Sequence, residues 1–424
     1  MPAPQRFQAP KGTQDVLPPE SARWEALLAT YARVVEGAGY GLLQSPMFED
    51  AALYQRVSEG ADAVRKEMYD FEDKGGRRVA LRPEGTASVV RAFVQHRPLL
   101  PWKVWYATPE FRYENVQAGR YRQHHQVGLE VLGAHDPEVD IEVITLGWEF
   151  LAALGLRRVE LLVNSMGTAA DRMSYVEVLQ TWLGERRGDL DTEDRDRVDT
   201  HPMRVLDSKR PATRDVTADA PRITDHLSTE SRAHFDAVQA GLAAMGIPFA
   251  LEPRLVRGFD YYTHTTFELV SNALDNAQAT VLGGGRYDGL VEEIGGPPTP
   301  GVGFGSGIER VLLTCDAEGV FPAPAQLLDV FVVDVVGGLE ARQLTAELRR
   351  AGLRADRAFD RKGMRAQMKA ADRSGAAVAL IVGEQELADG HVSVRALRGE
   401  FGTSQESVPR DAVVDHVRKL TEKS

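Results

Sequence analysis

The chain has 424 residues, enough for two or three domains of ordinary size and far more than a small disulfide-stapled scaffold needs. Hydrophobic residues make up 43% and charged residues 26%, close to the globular average, which gives no compositional ground for long disorder. Fifty Lys and Arg against 62 Asp and Glu leave a formal charge of -12, which argues against a polyanionic partner unless the cations are gathered in one place.

The first residues, Met1 to Arg6, lack the apolar core of a signal peptide, and no stretch reaches the apolar length of a membrane span, so a cytoplasmic protein with no membrane partner is expected. After Pro18-Pro19, Trp24, Leu27, Leu28, Tyr31, Val34 and Val35 recur at helical spacing until Gly37 and Gly39. That pattern predicts an amphipathic helix. Gly41 to Phe48 is apolar but interrupted by Pro46, which predicts a strand at a sheet edge, because proline cannot donate to a ladder.

Lys103 to Thr108 reads as a strand, and a second strand running to Val131 closes a long hairpin around the polar loop from Glu114 to Gly119. Side chains alternate along a strand, so Arg120, Arg122, His124, Gln126, Gly128 and Glu130 share one face and Val127, Leu129 and Val131 the other. The second face is core. The first carries functional residue types, although solvated antiparallel faces are also polar.

Residues 168 to 250 are rich in charge and show helical patterning only, which predicts a helical insertion. An antiparallel pair follows, Tyr261 to Val270 and Ala279 to Gly283. Then Gly301, Gly303, Gly305 and Gly307 alternate along one strand face that leads into a helix from Ile308. Such a face either admits a flat ligand such as a purine or packs tightly on a neighbour. The lone cysteine, Cys315, falls in the apolar run Val311 to Cys315 and reads as a buried hydrophobe; one thiol excludes internal disulfides and multi-thiolate zinc sites.

Phe321-Pro322-Ala323-Pro324-Ala325 is the best linker, dividing the chain into residues 1–325 and 326–424. Beyond it, strands Leu328 to Val336, Leu353 to Phe359 and Ala376 to Val382 alternate with helices Leu339 to Ala351 and Gly363 to Arg373, the pattern of an α/β domain.

No Gly-x-x-x-x-Gly-Lys-Ser/Thr string occurs, and the alternating glycines do not complete a dinucleotide fingerprint. The histidines make no metal constellation: His124 and His125 point to opposite strand faces, and His226 and His234 lack a third ligand. No structural metal is expected. Carboxylates beside an arginine-rich strand face point instead to a cationic group bound next to phosphate.

Lys11-Gly12-Thr13-Gln14-Asp15, Arg82-Pro83-Glu84-Gly85-Thr86, Phe111-Arg112-Tyr113-Glu114, Gly119-Arg120-Tyr121-Arg122-Gln123, Arg257-Gly258-Phe259-Asp260-Tyr261-Tyr262 and Gly305-Ser306-Gly307-Ile308-Glu309-Arg310 together resemble the histidyl-tRNA synthetase family of class II aminoacyl-tRNA synthetases, nearly end to end. The resemblance implies an α+β catalytic domain built on a six-stranded antiparallel sheet flanked by helices, with a helical insertion at about 168–250, and a C-terminal α/β anticodon-binding domain. It also implies a homodimer. The implied reaction ligates L-histidine to tRNA(His) through a histidyl-adenylate, using ATP with Mg²⁺.

On the same ground, histidine would be held by Glu84, Gly85, Thr86, Arg112, Gln126, Glu130, Arg257, Tyr261 and Tyr262, and ATP by Arg112, Glu114, Arg120, His124 and Arg310. Arg112 and Arg257 would be catalytic, stabilising charge at the α-phosphate. Two departures stand out: Asn115-Val116 replaces the family's Arg-Pro pair, and His124 replaces a phenylalanine that stacks on adenine. Rival readings are a non-charging regulatory paralogue of ATP phosphoribosyltransferase and the synthetase-like RNA-sensing module of a kinase. The first typically lacks the final domain, and no kinase signature occurs here.

The charge is segregated. From Leu328 onward 16 Lys and Arg face 15 Asp and Glu, leaving 34 against 47 in the rest. Nine of those cations fall between Arg349 and Arg373 against three acids, which marks a candidate phosphate-contacting patch or, equally, a solvated helix face laced with ion pairs.

Overall fold

The computed structural model of the chain describes residues 6–57, 66–256, 261–274, 279–324, 328–359, 362–398 and 405–421. Strands β1 (Gly41–Leu42), β2 (Phe48–Asp50), β3 (Asp70–Glu72), β4 (Arg78–Leu81), β5 (Trp102–Phe111), β6 (Gln123–Leu132), β7 (Val159–Ser165), β8 (Phe249–Leu251), β9 (Thr263–Ser271), β10 (Thr280–Arg286) and β11 (Gly301–Gly307) belong to a first unit, Met1–Ala323. Among the described residues, eight of them form one sheet in the order β1-β5-β6-β11-β10-β9-β7-β8, and β2-β4-β3 form a small second sheet.

The six inner strands of the large sheet are antiparallel throughout. Short β1 and β8 add to its two edges in parallel, so the sheet is mixed and wider than the six antiparallel strands expected. Both parallel pairs are joined by long crossovers that contain helices, as parallel pairing requires. At two and three residues these edge strands are too short to leave a pattern in sequence.

The expected strand Gly41 to Phe48 is split. It leaves the large sheet after Leu42 and enters the small one at Phe48, with Pro46 in the gap. Buried Arg82 fastens that gap. Its Nε donates to the Pro109 carbonyl at 2.8 Å and its Nη1 to the Ser45 hydroxyl at 2.9 Å and carbonyl at 3.1 Å, satisfying backbone that the ladder cannot.

One face of the sheet packs under the helices Glu20–Gly37, Pro137–Ala153, Thr229–Ala244 and Ile308–Glu318. Leu27, Tyr31 and Val35 of the first share a core with Val127, Leu129 and Val131 of β6, and Tyr31 meets Phe150 edge-on at 4.9 Å. Cys315 lies in the same core. Helix Thr229–Ala244, which the charge-rich run suggested was part of the insertion, puts Val238 and Leu242 into this core too. A Cβ at Gly241 would come within 2.1 Å of Ile141. The helical lobe proper is Ala169–Glu185 with the short helices Thr192–Arg195, Arg197–Thr200, Pro202–Leu206 and Pro211–Thr217, packed on Tyr175, Leu179, Leu183 and Val205.

The second unit, Pro324–Ser424, holds β12 (Val330–Asp334), β13 (Ala355–Arg357), β14 (Val378–Val382), β15 (His391–Ala396) and β16 (Gln405–Pro409), ordered β13-β12-β14-β15-β16. The first three are parallel and the last two antiparallel. Strand β12 stops two residues short of Val336 because the Asp334 carboxylate turns the chain, accepting from the amides of Val336, Gly337, Gly338 and Ala341. Among the described residues no helix is long and apolar enough to cross a membrane.

Candidate active site

On the other face of the large sheet lies a cavity of about 530 Å³ floored by β6, β11 and β10. Its acidic end is built at the start of helix Thr86–His96. Glu84 accepts from the amides of Thr86 at 2.8 Å and Ala87 at 2.7 Å, occupying the orphan donors of that helix terminus. The Glu84 carboxyl is nevertheless pushed up to about 7, because burial outweighs those hydrogen bonds.

Glu130 of β6 sits beneath. It is fully buried and takes three donors: Tyr287 Oη at 2.6 Å, Thr86 Oγ1 at 2.7 Å and Tyr106 Oη at 3.3 Å. Burial again dominates and pushes its carboxyl up to about 8.

Glycines make room for this cluster. A Cβ at Gly128 would lie 2.3 Å from the Tyr106 ring and one at Gly85 2.5 Å from it, so Tyr106 reaches Glu130 only because both lack side chains. On β11, a Cβ at Gly303 would lie 1.8 Å from Glu130 Oε2 and one at Gly305 2.4 Å from Gln126 Oε1; the bare glycine face is thus filled by neighbouring polar side chains. Gly307 differs, with only the Arg310 Cβ near, at 3.9 Å, and it lines the cavity. Tyr261 and Tyr262 close this end, their rings 4.8 Å apart.

The opposite end is basic. Arg112 anchors its Nε on the Pro83 carbonyl at 2.7 Å, Arg120 meets Glu114 at 3.4 Å, and Arg310 donates to the Thr280 carbonyl at 2.7 Å. Burial and the neighbouring Arg120 hold the Arg310 guanidinium below its ordinary pKa, because cations converge there. His124 lines this end too, with its Nε2 3.4 Å from buried Glu110, while His125 turns away to Glu309 at 2.9 Å.

The cavity therefore brings together Glu84, Gly85, Thr86, Gln126, Tyr261, Tyr262, Arg112, Glu114, Arg120, His124 and Arg310. Glu130 lies under the floor rather than in the wall. Arg257 falls outside the described residues. The sequence reading missed Tyr106 and Tyr287, and also Asp207 and Lys209, which the helical lobe sends into the cavity wall. Tyr106 was within reach, since hairpin register puts it opposite Gly128 on the face that carries Glu130. Asp207 and Lys209 had no local signal. Buried Asp194 holds Ser208 and Arg210 from behind while the alternating residues Asp207 and Lys209 face the cavity.

A cavity with a carboxylate pair at one end and converging guanidiniums at the other, over a sheet with six antiparallel inner strands, is the architecture of a class II aminoacyl-tRNA synthetase. Residues 12–311 match the family "Histidyl-tRNA synthetase" and residues 329–420 the family "Anticodon binding domain". The chain is 49% identical to the histidine–tRNA ligase of Rhodococcus erythropolis over 98% of each chain, and 47% identical to that of Geobacillus kaustophilus over 90% of this chain and 91% of the other. The apo histidyl-tRNA synthetase structure of S. aureus superposes with a TM-score of 0.82 at 36% identity, covering 97% of this chain and all of that one. The chain belongs to the histidyl-tRNA synthetase family, and with it to the ligases that charge tRNA.

Proposed function

We propose that this chain activates L-histidine with ATP to give histidyl-adenylate and diphosphate, then passes the histidyl group to tRNA(His) with release of AMP. The observation that carries the reading is the polarity of one cavity: acceptors at Glu84 and Gln126 suit an α-ammonium group, and the guanidiniums of Arg112, Arg120 and Arg310 suit a triphosphate. A non-charging regulatory paralogue is not favoured, because both family matches and the ligase relatives run the length of the chain.

In this reading Glu84, Gly85, Thr86 and Gln126 orient the amino acid, and Glu130 from beneath and Tyr262 from the side address the imidazole nitrogens, with Tyr261 beside them. Because those partners are buried, an amino acid lacking the ring's hydrogen-bonding groups leaves them unpaired and is rejected by roughly 10⁴-fold or more. Arg112 and Arg257 neutralise charge at the α-phosphate, acting by placement rather than as bases. Arg120 and Arg310 take the terminal phosphates, with Glu114 beside Arg120, and Arg310 and His124 cover the adenine.

Among the described residues no cluster of three His, Cys, Asp or Glu is arranged to hold a metal alone. Mg²⁺ would arrive on the triphosphate, where Glu114 and Glu268 are the carboxylates beside the arginines and the ion would offset phosphate charge. The exposed stripe Arg365, Lys369 and Arg373, spaced i, i+4 along the helix Met364–Arg373, is proposed as a phosphate contact of the tRNA. A homodimer, a cytoplasmic location and the division into catalytic and anticodon-binding domains near residue 325 complete the proposal.

The test is histidine-dependent exchange of pyrophosphate into ATP, followed by charging of tRNA(His). Absence of exchange overturns adenylation; exchange without charging would trace to the Asn115-Val116 loop. Arg257→His should abolish exchange while leaving the chain folded by circular dichroism, and unchanged turnover would remove its catalytic role.

A further inference from the structure

We propose that Glu110 is a positioning residue for the nucleotide, acting through His124. The proposal rests on reading the His124 end of the cavity as the adenine site, and it concerns what holds the imidazole there.

Glu110 lies directly opposite His124 in the β5–β6 register and shares the strand face of Thr108 and Tyr106, which is the face turned to the cavity. Its side chain is wholly buried. Among the described residues neither of its carboxylate oxygens accepts a hydrogen bond, and the neighbouring Thr108 Oγ1 is likewise without a partner. A buried carboxylate left in that state is costly, so a donor is to be looked for among the groups that face it.

Among the described residues, Thr108 stands beside it on the same strand face, Tyr106 is in electrostatic range but gives its hydroxyl to Glu130, and two nitrogen donors remain. Arg82 is within electrostatic range, but its Nε donates to the Pro109 carbonyl and its Nη1 to the Ser45 and Pro46 carbonyls and the Ser45 hydroxyl. The second is His124 Nε2, 3.4 Å from Glu110 Oε2, on a side chain only 16% exposed that reaches the cavity. A small rotation of the ring brings this pair to hydrogen-bond distance, and a purine lying on the imidazole favours that closure. The Nε2–H tautomer is then selected, leaving Nδ1 bare, because the partner of one ring nitrogen decides the state of the other.

An imidazole offers a purine less area than a phenyl ring and can turn about its own axis. Glu110 limits that freedom once the pair closes, so the ring is held against the purine and the ordering cost of binding falls.

The experiment is steady-state pyrophosphate exchange by the full-length chain, with ATP and histidine varied separately. Glu110→Leu should raise the KM for ATP by ~10-fold, about the worth of one hydrogen bond, with the KM for histidine and kcat nearly unchanged. Glu110→Gln, which keeps an acceptor, should stay close to the parent. Combining Glu110→Leu with His124→Phe should restore the ATP KM, since a phenyl ring stacks without an acceptor.

An unchanged ATP KM in Glu110→Leu overturns the proposal, as does a raised KM that His124→Phe fails to restore. His124→Ala separates the two readings: no change in its ATP KM removes the adenine placement itself, whereas a rise there without one in Glu110→Leu removes only the positioning. One measurement needs no variant. Imidazole ¹⁵N shifts of His124 at pH 8 should show Nε2 protonated and Nδ1 bare, and the opposite tautomer would refute the pairing.

Discussion

Tyr287 donates a 2.6 Å hydrogen bond to Glu130 from 157 residues further along the chain, and both side chains are fully buried beneath the acidic end of the cavity. The bond fixes one carboxylate oxygen, so that Thr86 and Tyr106 address the other. Tyr287→Phe leaves Oε2 without that donor, at a cost of ~1–3 kcal/mol. The expected result is a lower unfolding temperature and a KM for histidine raised by ~10-fold, with the KM for ATP unchanged. Pyrophosphate exchange and thermal unfolding measure the two effects side by side, and a shift in the ATP constant alone would contradict the assignment.

Glu84 and Glu130, as the proposed histidine ligands, should make histidine binding proton-linked. Burial raises both carboxyls, to about 7 and about 8, above the 4.5 of a free glutamate. The stability they give the empty site is full below pH 4.5 and is lost as pH climbs through those raised values. A bound α-ammonium favours the ionised form, so binding expels protons and affinity for histidine should rise from pH 6 to 8, then level off. Calorimetry at pH 7.5 in buffers of different ionisation heat should record proton release, above the range where free imidazole titrates. That release should shrink in Glu84→Gln or Glu130→Gln; uptake, or no exchange at all, would refute the linkage.

Gly303 and Gly307 look equivalent in the alternating run, but their surroundings differ. A methyl group at 303 would sit 1.8 Å from Glu130 Oε2 and 2.3 Å from the Leu129 carbonyl, and the backbone atom cannot yield. At 307 the Arg310 Cβ is 3.9 Å away, an ordinary contact. Gly303→Ala should therefore displace Glu130 and raise the KM for histidine by at least ~10-fold, at a stability cost of roughly 1–3 kcal/mol. Gly307→Ala should fold normally and act, if at all, on the KM for ATP. Equal effects on both constants would show that the run is only a packing device.

How much of this was legible follows from the range over which each signal acts. The polar face of β6 was readable because alternation is local: His124, Gln126, Gly128 and Glu130 need only a strand to share a side. What fills the gaps at Gly303 and Gly305 was not readable, because it depends on β11 lying next to β6, a pairing between residues some 175 positions apart in chain order. Tyr287 was hidden for the same reason. Helix Thr229–Ala244 was assigned to the insertion because its pattern is that of any amphipathic helix; only packing against Ile141 shows that it covers the sheet. Lys209 enters the cavity through a loop anchored on Asp194, and nothing in the string Asp207-Ser208-Lys209-Arg210 encodes which way that loop faces.

The run Arg286-Tyr287-Asp288 also carries a structural demand. Arg286 is completely buried, and its Nε lies 3.1 Å from Asp140, itself buried, with His234 Nε2 3.5 Å from the same carboxylate. Arg286 Nη1 further donates to the Ala134 carbonyl at 2.9 Å, tying β10 to the turn before the helix Pro137–Ala153. Breaking one side of such a pair strands a charge in the interior, which costs ~3–5 kcal/mol, whereas replacing both partners with apolar groups is often neutral. Asp140→Leu should therefore unfold at a markedly lower denaturant concentration than the parent, and adding Arg286→Met should recover most of the loss. Because Tyr287 follows Arg286 directly, Asp140→Leu should also weaken histidine binding while the helix content by circular dichroism holds. Equal destabilisation in the single and double variants would show that the pair is bound into a wider polar network rather than standing as an isolated bridge.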